Sequence, residues 1–347
     1  MSKVYFVPIK SYTETQKISE SAKKLLEKIQ EENNMLDFKK KVLIKVHFGE
    51  ENNSTFIESK NFLGIIDYLK EKKAKAYYTE TNVLYRGKRT KKTDHLKIAE
   101  EHGFTQLPII IADGEIGEDY EEVDISNTNA KHFKKCKIGK EIAKQEQLIV
   151  LAHFKGHMLA GFGAAIKQLS MGCAARGGKL AMHAQSKPIL NPLECKKCHT
   201  CVKNCPTDAC RIDNLIPHID YSKCIGCAKC IAVCPFGAIH INWASTLPNE
   251  FYEKLVEYAF AAQKGKKVVY INFIFNITKE CDCHGQKQKP IAKDIGILAC
   301  IDPVAIDKAS LDLVRKKEGK KLFGGDHTLD YAEKIGLGSK KYELIEL

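Results

Sequence analysis

The sequence predicts an α/β protein in which a mostly parallel sheet, covered by helices, is interrupted by a small inserted α+β unit. Three observations carry this expectation. Apolar strand-like runs alternate with helical periodicity from residue 4 to residue 154, at the spacing that βαβ units need. Similar runs resume after residue 243, so the two flanks read as one domain in two parts, 1–190 and 243–347. Between them, residues 191–242 hold nine cysteines, eight of them in two repeats.

Taken in order, residues 4–7 read as a strand. Residues 13–33 place Ile18, Leu25, Leu26 and Ile29 at helical spacing, with Ser11 or Thr13 as the expected cap. Residues 41–48 (KVLIKVHF) read as a buried strand, followed by a helix at 60–72, a strand at 74–80, a helix at 92–102 and a strand at 107–111. Residues 112–140 read as antiparallel ribbon or loop, with His132 and Cys136 near its end, and 148–154 as a core strand. Two glycine-rich turns around a short apolar helix follow. Gly161 and Gly163 precede that helix, either to let backbone N–H groups approach an anion or to allow close packing, and G-x-G alone does not decide. After the insert, residues 248–263 are helical (Phe251, Leu255, Tyr258, Ala259) and 267–275 and 294–300 are strands. A final helix from 303 to about 316 takes Asp302 as N-cap.

The insert carries the strongest chemical signal. Cys195, Cys198, Cys201 and Cys205 precede Pro206, and Cys224, Cys227, Cys230 and Cys234 precede Pro235. Each copy reads C-x2-C-x2-C-x3-C-P, the run of bacterial two-cluster ferredoxins, in which the fourth cysteine of each run ligates the other cluster. The expected sets are therefore Cys195, Cys198, Cys201 and Cys234 for one [4Fe-4S] cluster, and Cys224, Cys227, Cys230 and Cys205 for the second. Zinc sites favour paired C-x2-C knuckles, and cysteines two residues apart seldom bridge, so zinc and disulfides fit less well. Ile212 and Ile241 follow the two runs as expected shields for the clusters, Ser222 and Gly226 suit a turn, and Cys210 reads as a buried thiol.

The chain has 347 residues, 44% hydrophobic and 28% charged, the composition of an ordinary globular protein. No apolar run is long enough to span a bilayer, and no targeting peptide is visible, so cytoplasmic residence is expected. Fourteen cysteines point to a reducing compartment, and cluster chemistry to an anaerobic setting. The formal net charge is +12, with lysines such as Lys23, Lys24, Lys28, Lys70, Lys72 and Lys73 spread over helices as solvated faces. No aromatic-basic motif supports nucleic-acid binding, which ranks last among the functions considered. Hydride chemistry has little support, because no G-x-G-x-x-G follows the first strand.

The segments HFKGHMLAGFGAAIKQLSMG, VLIKVHFGE, YYTETN, ECDCHG and DIGILACIDPVAIDKAS resemble domain-of-unknown-function family 362 along nearly the whole chain. The resemblance implies iron-sulfur proteins in which an α/β domain carries a two-cluster ferredoxin insert. It supplies no substrate.

A second site is expected where strands end, since the carboxyl edge of a parallel sheet forms a ligand crevice. Lys45, His47, Glu80, His153 and Lys155 stand there, and His157, Lys167, His183, Asp302 and Asp307 are candidates to join them. Taken singly, each reads as a structural group; only convergence would make a site. Lysines beside histidines suit an anionic small molecule. Cys281, Asp282, Cys283 and His284 form a further knot, either ligating an additional metal ion or acting as a redox pair, while Cys136, Cys173 and Cys300 read as core thiols. Two functions compete: clusters exchanging single electrons with a substrate or metal in the crevice, an oxidoreductase, or an electron carrier whose α/β domain docks a redox partner protein.

Overall fold

A computed structural model describes residues 1–184, 187–242, 247–283 and 285–347. Strand β1 (Ser2–Pro8) and helix α1 (Thr15–Asn33) open the chain, followed by β2 (Val42–Lys45), α2 (Leu63–Glu71), β3 (Ala76–Glu80), α3 (Lys92–Glu101) and β4 (Ile109–Ile111). The ribbon β5 (Tyr120–Asp124) and β6 (Lys135–Gly139) leads through α4 (Lys140–Ala143) to β7 (Gln147–His153). A hairpin of β8 (Lys155–His157) and β9 (Gly161–Gly163) precedes α5 (Ala165–Ser170) and α6 (Arg176–Ala184). The cysteine-rich segment forms β10 (Pro188–Leu190), α7 (Thr200–Asn204), β11 (Cys210–Asp213), β12 (Ile216–Ile219), α8 (Lys229–Val233) and β13 (Ile239–Ile241). The chain closes with α9 (Pro248–Gln263), β14 (Lys267–Ile274), β15 (Gly296–Cys300), α10 (Pro303–Glu318), α11 (Asp326–Lys334) and β16 (Tyr342–Glu346).

Among the described residues, eight strands share one sheet in the order β16-β1-β15-β14-β7-β2-β3-β4. It is mostly parallel; β15 alone runs antiparallel to its neighbours β1 and β14. The reason is the connection: β14 reaches β15 through a loop, whereas a parallel step needs a crossover that helices normally supply. Strands on both sides of the cysteine-rich segment meet directly, since β14 pairs with β7 from Lys267↔Gln147 to Phe273↔His153.

Successive side chains of a strand point to opposite faces, which divides the core in two. Leu148, Val150, Val268 and Tyr270 pack on one face with α5, α9 and α10, while Ile149, Leu151, Val269 and Ile271 pack on the other with α1, α2 and α3. Both faces are covered, so these strands read as continuous apolar runs. Full burial of each Leu, Ile or Val contributes about 1.5–3 kcal/mol.

Two sequence expectations change. Neither Ser11 nor Thr13 caps α1; the N-cap is Glu14, without a side-chain cap bond. The hydroxyls of Ser11 and Thr13 bond each other at 2.8 Å, and the Thr13 amide donates to Ser11 Oγ, a local turn that uses up the groups a cap would need. The helix after Asp302 is not the last element, because Gly319 in a left-handed conformation (φ +66°) ends it and α11 and β16 follow. Asp302 does cap α10, accepting from the amides of Val304 at 2.9 Å and Ala305 at 3.0 Å.

Candidate functional site

Where β2, β3 and β7 end, the structure opens a cavity of about 500 Å³. Period two along β2 and its continuation puts Lys45 and His47 on the face of Leu43. The walls come from the loop after β3 (Thr81, Leu84, Tyr85, Arg89), the hairpin (Lys155, His157), α5 (Lys167) and α6 (Lys179, His183).

Lys45 and Glu80 are fully buried at the floor, 2.8 Å apart. Arg89 extends this network, reaching Glu80 at 3.3 Å, Glu50 at 3.1 Å and the Tyr85 hydroxyl at 2.8 Å. Two cations thus balance two carboxylates, and an ion pair held in low dielectric persists only with such additional bonds. A second knot lies behind Lys155. Asp282, fully buried, accepts from His153 Nδ1 at 2.8 Å and sits 3.0 Å from Lys155 Nζ, while His153 Nε2 lies 2.7 Å from the carbonyl of Phe275. Burial disfavours the Asp282 carboxylate, yet His153 and Lys155 hold its pKa well below the usual range.

The histidines at the cavity are neutral. Burial, then the charge of Arg89, lowers His47 well below its ordinary value, and its Nδ1 accepts the Gly49 amide at 2.9 Å, which leaves the ring proton on Nε2. Burial and Lys167 push His183 down to about 3. His157 accepts the amides of Leu159 and Ala160 on Nδ1.

Lys179 differs from the other cations. Its ammonium bonds Thr81 Oγ1 and the carbonyl of Ala174, both at 2.6 Å, and makes no ion pair among the described residues. Burial lowers it to about 8, against the opposing pull of Asp113 and Glu80. Lys179 therefore brings to the cavity an ammonium that no carboxylate contacts directly among the described residues.

The cysteine knot adjoins the same space. Cys283 lines the cavity; Cys281 is buried behind it, 2.9 Å from Lys167 Nζ. A bond from the Cys283 thiol favours the Cys281 thiolate despite burial, with help from Lys167 and Lys155, and the same bond and burial raise Cys283. His284 lies outside the described residues. Around Cys281, Asp282 and Cys283, no group of three or more described His, Cys, Asp or Glu side chains is arranged to hold a single metal ion.

Of the residues expected at the crevice, His47, Glu80, Lys155, His157, Lys167 and His183 line the cavity, Lys45 lies beneath it and His153 behind it. Asp302 belongs elsewhere. Its carboxylate caps α10 and also accepts from Ser2 and the Ser339 amide, so helix geometry accounts for it. Asp307 is also diverted: its carboxylate takes the amides of Ala165 and Ile166 at 2.8 and 2.9 Å. It thereby fills the position at the start of α5 that Gly161 and Gly163 would have opened to an anion. Gly161 instead packs against Gly324, where an added Cβ would come within 2.7 Å of backbone. Sequence reasoning passed over Arg89, inside a basic run, and Lys179. The four-residue step from Lys179 to His183, which puts both on one helix face, was the available signal for the second.

The cluster-type cysteines separate into two groups. One small pocket is lined by Cys195, Cys198, Cys201 and Cys234, a second by Cys205, Cys224, Cys227 and Cys230. Cys210, buried, lines both. The fourth cysteine of each run thus lines the pocket of the other run, and four thiols around an apolar pocket are a donor set that a cubane iron-sulfur cluster could take. Ile212 and Pro217 line the first pocket, and Ile241 packs with Cys230 in one apolar cluster. The segment is joined to the α/β body by that cluster, which includes Leu84 and Leu180, and by bonds from Arg86 to Pro235 and Lys137 to Ile225.

Fold and site together define a mixed α/β protein with a cavity of charged and apolar side chains at the strand ends and a cysteine-rich segment joined to the same body. The chain belongs to the family described as Domain of unknown function (DUF362), matched over residues 42–312. It is 38% identical over 75 residues to an iron-sulfur protein of Rhodospirillum rubrum, covering 20% of this chain and 40% of that protein. It is 43% identical over 53 residues to the thiosulfate reductase electron transfer subunit of Salmonella typhi, covering 14% of this chain and 28% of the relative. The chain thus spans less than half the length of either. Among solved structures, the lactate racemase apoprotein of Thermoanaerobacterium thermosaccharolyticum aligns with a TM-score of 0.40 at 15% identity, over 79% of this chain and 50% of that one. A likeness that distant carries no argument about function. No helix among the described residues is long and apolar enough to cross a membrane.

Proposed function

We propose that this protein holds two [4Fe-4S] clusters in an inserted bacterial-type ferredoxin unit and passes single electrons to or from a small anionic molecule, or a metal, held in the α/β cavity. Cys195, Cys198, Cys201 and Cys234 hold one cluster, and Cys205, Cys224, Cys227 and Cys230 the other. When bound, such clusters supply one-electron chemistry. The observation that carries the link is Leu84, which lines the cavity and also belongs to the apolar cluster containing Cys210 and Cys230. Leu84 thus joins the cavity to the cysteine-rich segment through one apolar cluster. The relatives named as iron-sulfur and electron transfer proteins support the redox half of this reading. The anionic half rests on Lys179, supported by Arg89, Lys155 and the neutral His47, which can donate from Nε2.

A carrier that docks a redox partner is the second reading. It is favoured by the exposed apolar side chains of Leu193, Leu215, Ile216, Ile225 and Phe236, all on the cysteine-rich segment.

Anaerobic purification followed by iron and acid-labile sulfide analysis tests the cluster assignment; equal amounts of both are expected, and zinc in their place would end it. Adding phosphate or small carboxylates to the reduced protein separates the two readings. Perturbed cluster EPR signals and a raised Tm, both lost in Lys179→Met, support a cavity ligand. Unchanged signals together with rapid electron exchange with a reductase support the carrier.

A further inference from the structure

Six cysteines lie outside the two expected cluster sets, and they do not resemble one another. Cys136, Cys173 and Cys300 are core thiols: each is buried in the apolar layer between sheet and helices, and burial pushes Cys173 up to about 11 and Cys300 to about 12. Cys210 is buried between the two cysteine pockets. Cys281 and Cys283 are different on three counts. The turn that carries them brings the Cys283 amide within 3.4 Å of Cys281 Sγ, and the Cys283 thiol itself bonds the Cys281 sulfur, so the two sulfurs meet across one residue. A cation, Lys167 Nζ, stands 2.9 Å from Cys281 Sγ. Cys283 opens onto the cavity.

The residue between them holds this geometry in place. Asp282 is anchored by Lys155 and His153 from the end of β7 and the start of β8, so the turn is pinned to the sheet at its centre. Lys167 comes from α5, a separate element, and its bond to sulfur makes it a positioning residue for Cys281. Thiolates form beside cations, and the thiolate is the nucleophile in disulfide chemistry.

We propose that Cys281 and Cys283 form a redox-active dithiol in the cavity wall, which stores an electron pair by closing to and reopening from a Cys281–Cys283 disulfide. The proposal rests on the two-cluster reading for its electron source and adds the step that reading lacks, the conversion of two single electrons into a pair. In the reducing direction the disulfide accepts two electrons, one from each of two reduced clusters, and one proton. Its S–S bond breaks, leaving the Cys281 thiolate beside Lys167 and the Cys283 thiol at the cavity. In the reverse direction the S–S bond forms, the Cys283 proton leaves, and both electrons return to two oxidised clusters.

The sequence makes the test clean. Cleavage after Lys279 and Lys287 yields peptide 280–287, which contains these two cysteines and no other. Iron-replete protein is equilibrated anaerobically against a series of dithiothreitol redox buffers, quenched with acid, alkylated after unfolding, and the peptide is weighed. The disulfide form, two hydrogens lighter and unalkylated, is expected to titrate as one two-electron step. Disulfide-form protein given two electrons per chain should show open thiols in the peptide and little reduced-cluster EPR signal. Cys281→Ser/Cys283→Ser protein given the same electrons should keep its clusters reduced. Lys167→Met should slow disulfide closure about tenfold near neutral pH, with Lys167→Arg restoring most of the rate. A peptide that stays in the dithiol form through the whole series, or that is shielded by a bound metal, overturns the proposal. So does a disulfide that forms but draws no electrons from the clusters. Protein without iron would instead refute the cluster reading, while the peptide titration could still be read.

Discussion

Replacing Asp282 by asparagine tests the buried charge network on which the cavity wall depends. The substitution keeps the shape of the side chain and removes its charge. Asp282 is fully buried, and Lys155, its partner at 3.0 Å, is 7% exposed, so the variant leaves an ammonium in low dielectric without its counter-charge. Breaking a buried pair in this way costs about 3–5 kcal/mol. With an unfolding entropy near 2.1 cal/mol/K per residue, a chain of 347 residues loses about 4–7 °C of Tm for that change. Differential scanning calorimetry of the anaerobic protein measures it. Lys155→Met should cost less, because Asp282 retains His153. The double variant should cost less than the sum of the two single changes by at least about 1 kcal/mol, since neither charge is then left alone. A loss below about 1 kcal/mol for Asp282→Asn, or strict additivity in the cycle, would refute the claim that this pair is held as a compensated charge.

Three further outcomes are expected. Cys234→Ala should halve the iron content and remove the cluster held by Cys195, Cys198 and Cys201, leaving the cluster of its own run intact; loss of the other cluster, seen by EPR after selective reduction, would show uncrossed ligation. Burial raises Asp307 to about 6 from an unfolded value near 3.8, opposed by its bonds to the amides of Ile166 and Ala165 and to Asn272. The folded state therefore holds the proton more tightly, so the contribution of this group is fully present below about pH 4 and is lost as pH rises through about 6. At 1.36 kcal/mol per unit that is roughly 3 kcal/mol, and Asp307→Asn should flatten this part of the stability profile in denaturant titrations between pH 4 and 7. Asp302→Ala should lower stability by about 1 kcal/mol through loss of the α10 cap, while leaving phosphate or carboxylate binding in the cavity unchanged; altered binding would return Asp302 to the site.

The local elements were legible because each is written in nearby residues. Unbroken apolar runs marked β2, β7 and β14, the spacing of Phe251, Leu255, Tyr258 and Ala259 marked α9, and the helix beginning at Pro303 was announced by Asp302. Short elements were not: α11 buries only a few side chains, and β16 is a partly exposed edge strand whose register is set by β1 rather than by its own pattern.

The chain alone set the expectation for the cysteine-rich segment, because tight loops of fixed spacing limit which thiols can surround one centre. It also placed Lys45, His47, Glu80 and Lys155 near strand ends, since strand direction puts those ends at one edge of the sheet. Only the tertiary structure decided which candidates meet. It drew Arg89 and Lys179 into the cavity, assigned Asp302 and Asp307 to helix starts, and set Lys167 against Cys281. The decisive pairings reach far along the chain, as in Lys167 with Cys281, 114 positions apart, and Asp307 with Ala165, 142 positions apart. Charge compensation and packing in a low-dielectric interior are properties of the assembled layers, which no short stretch of sequence contains.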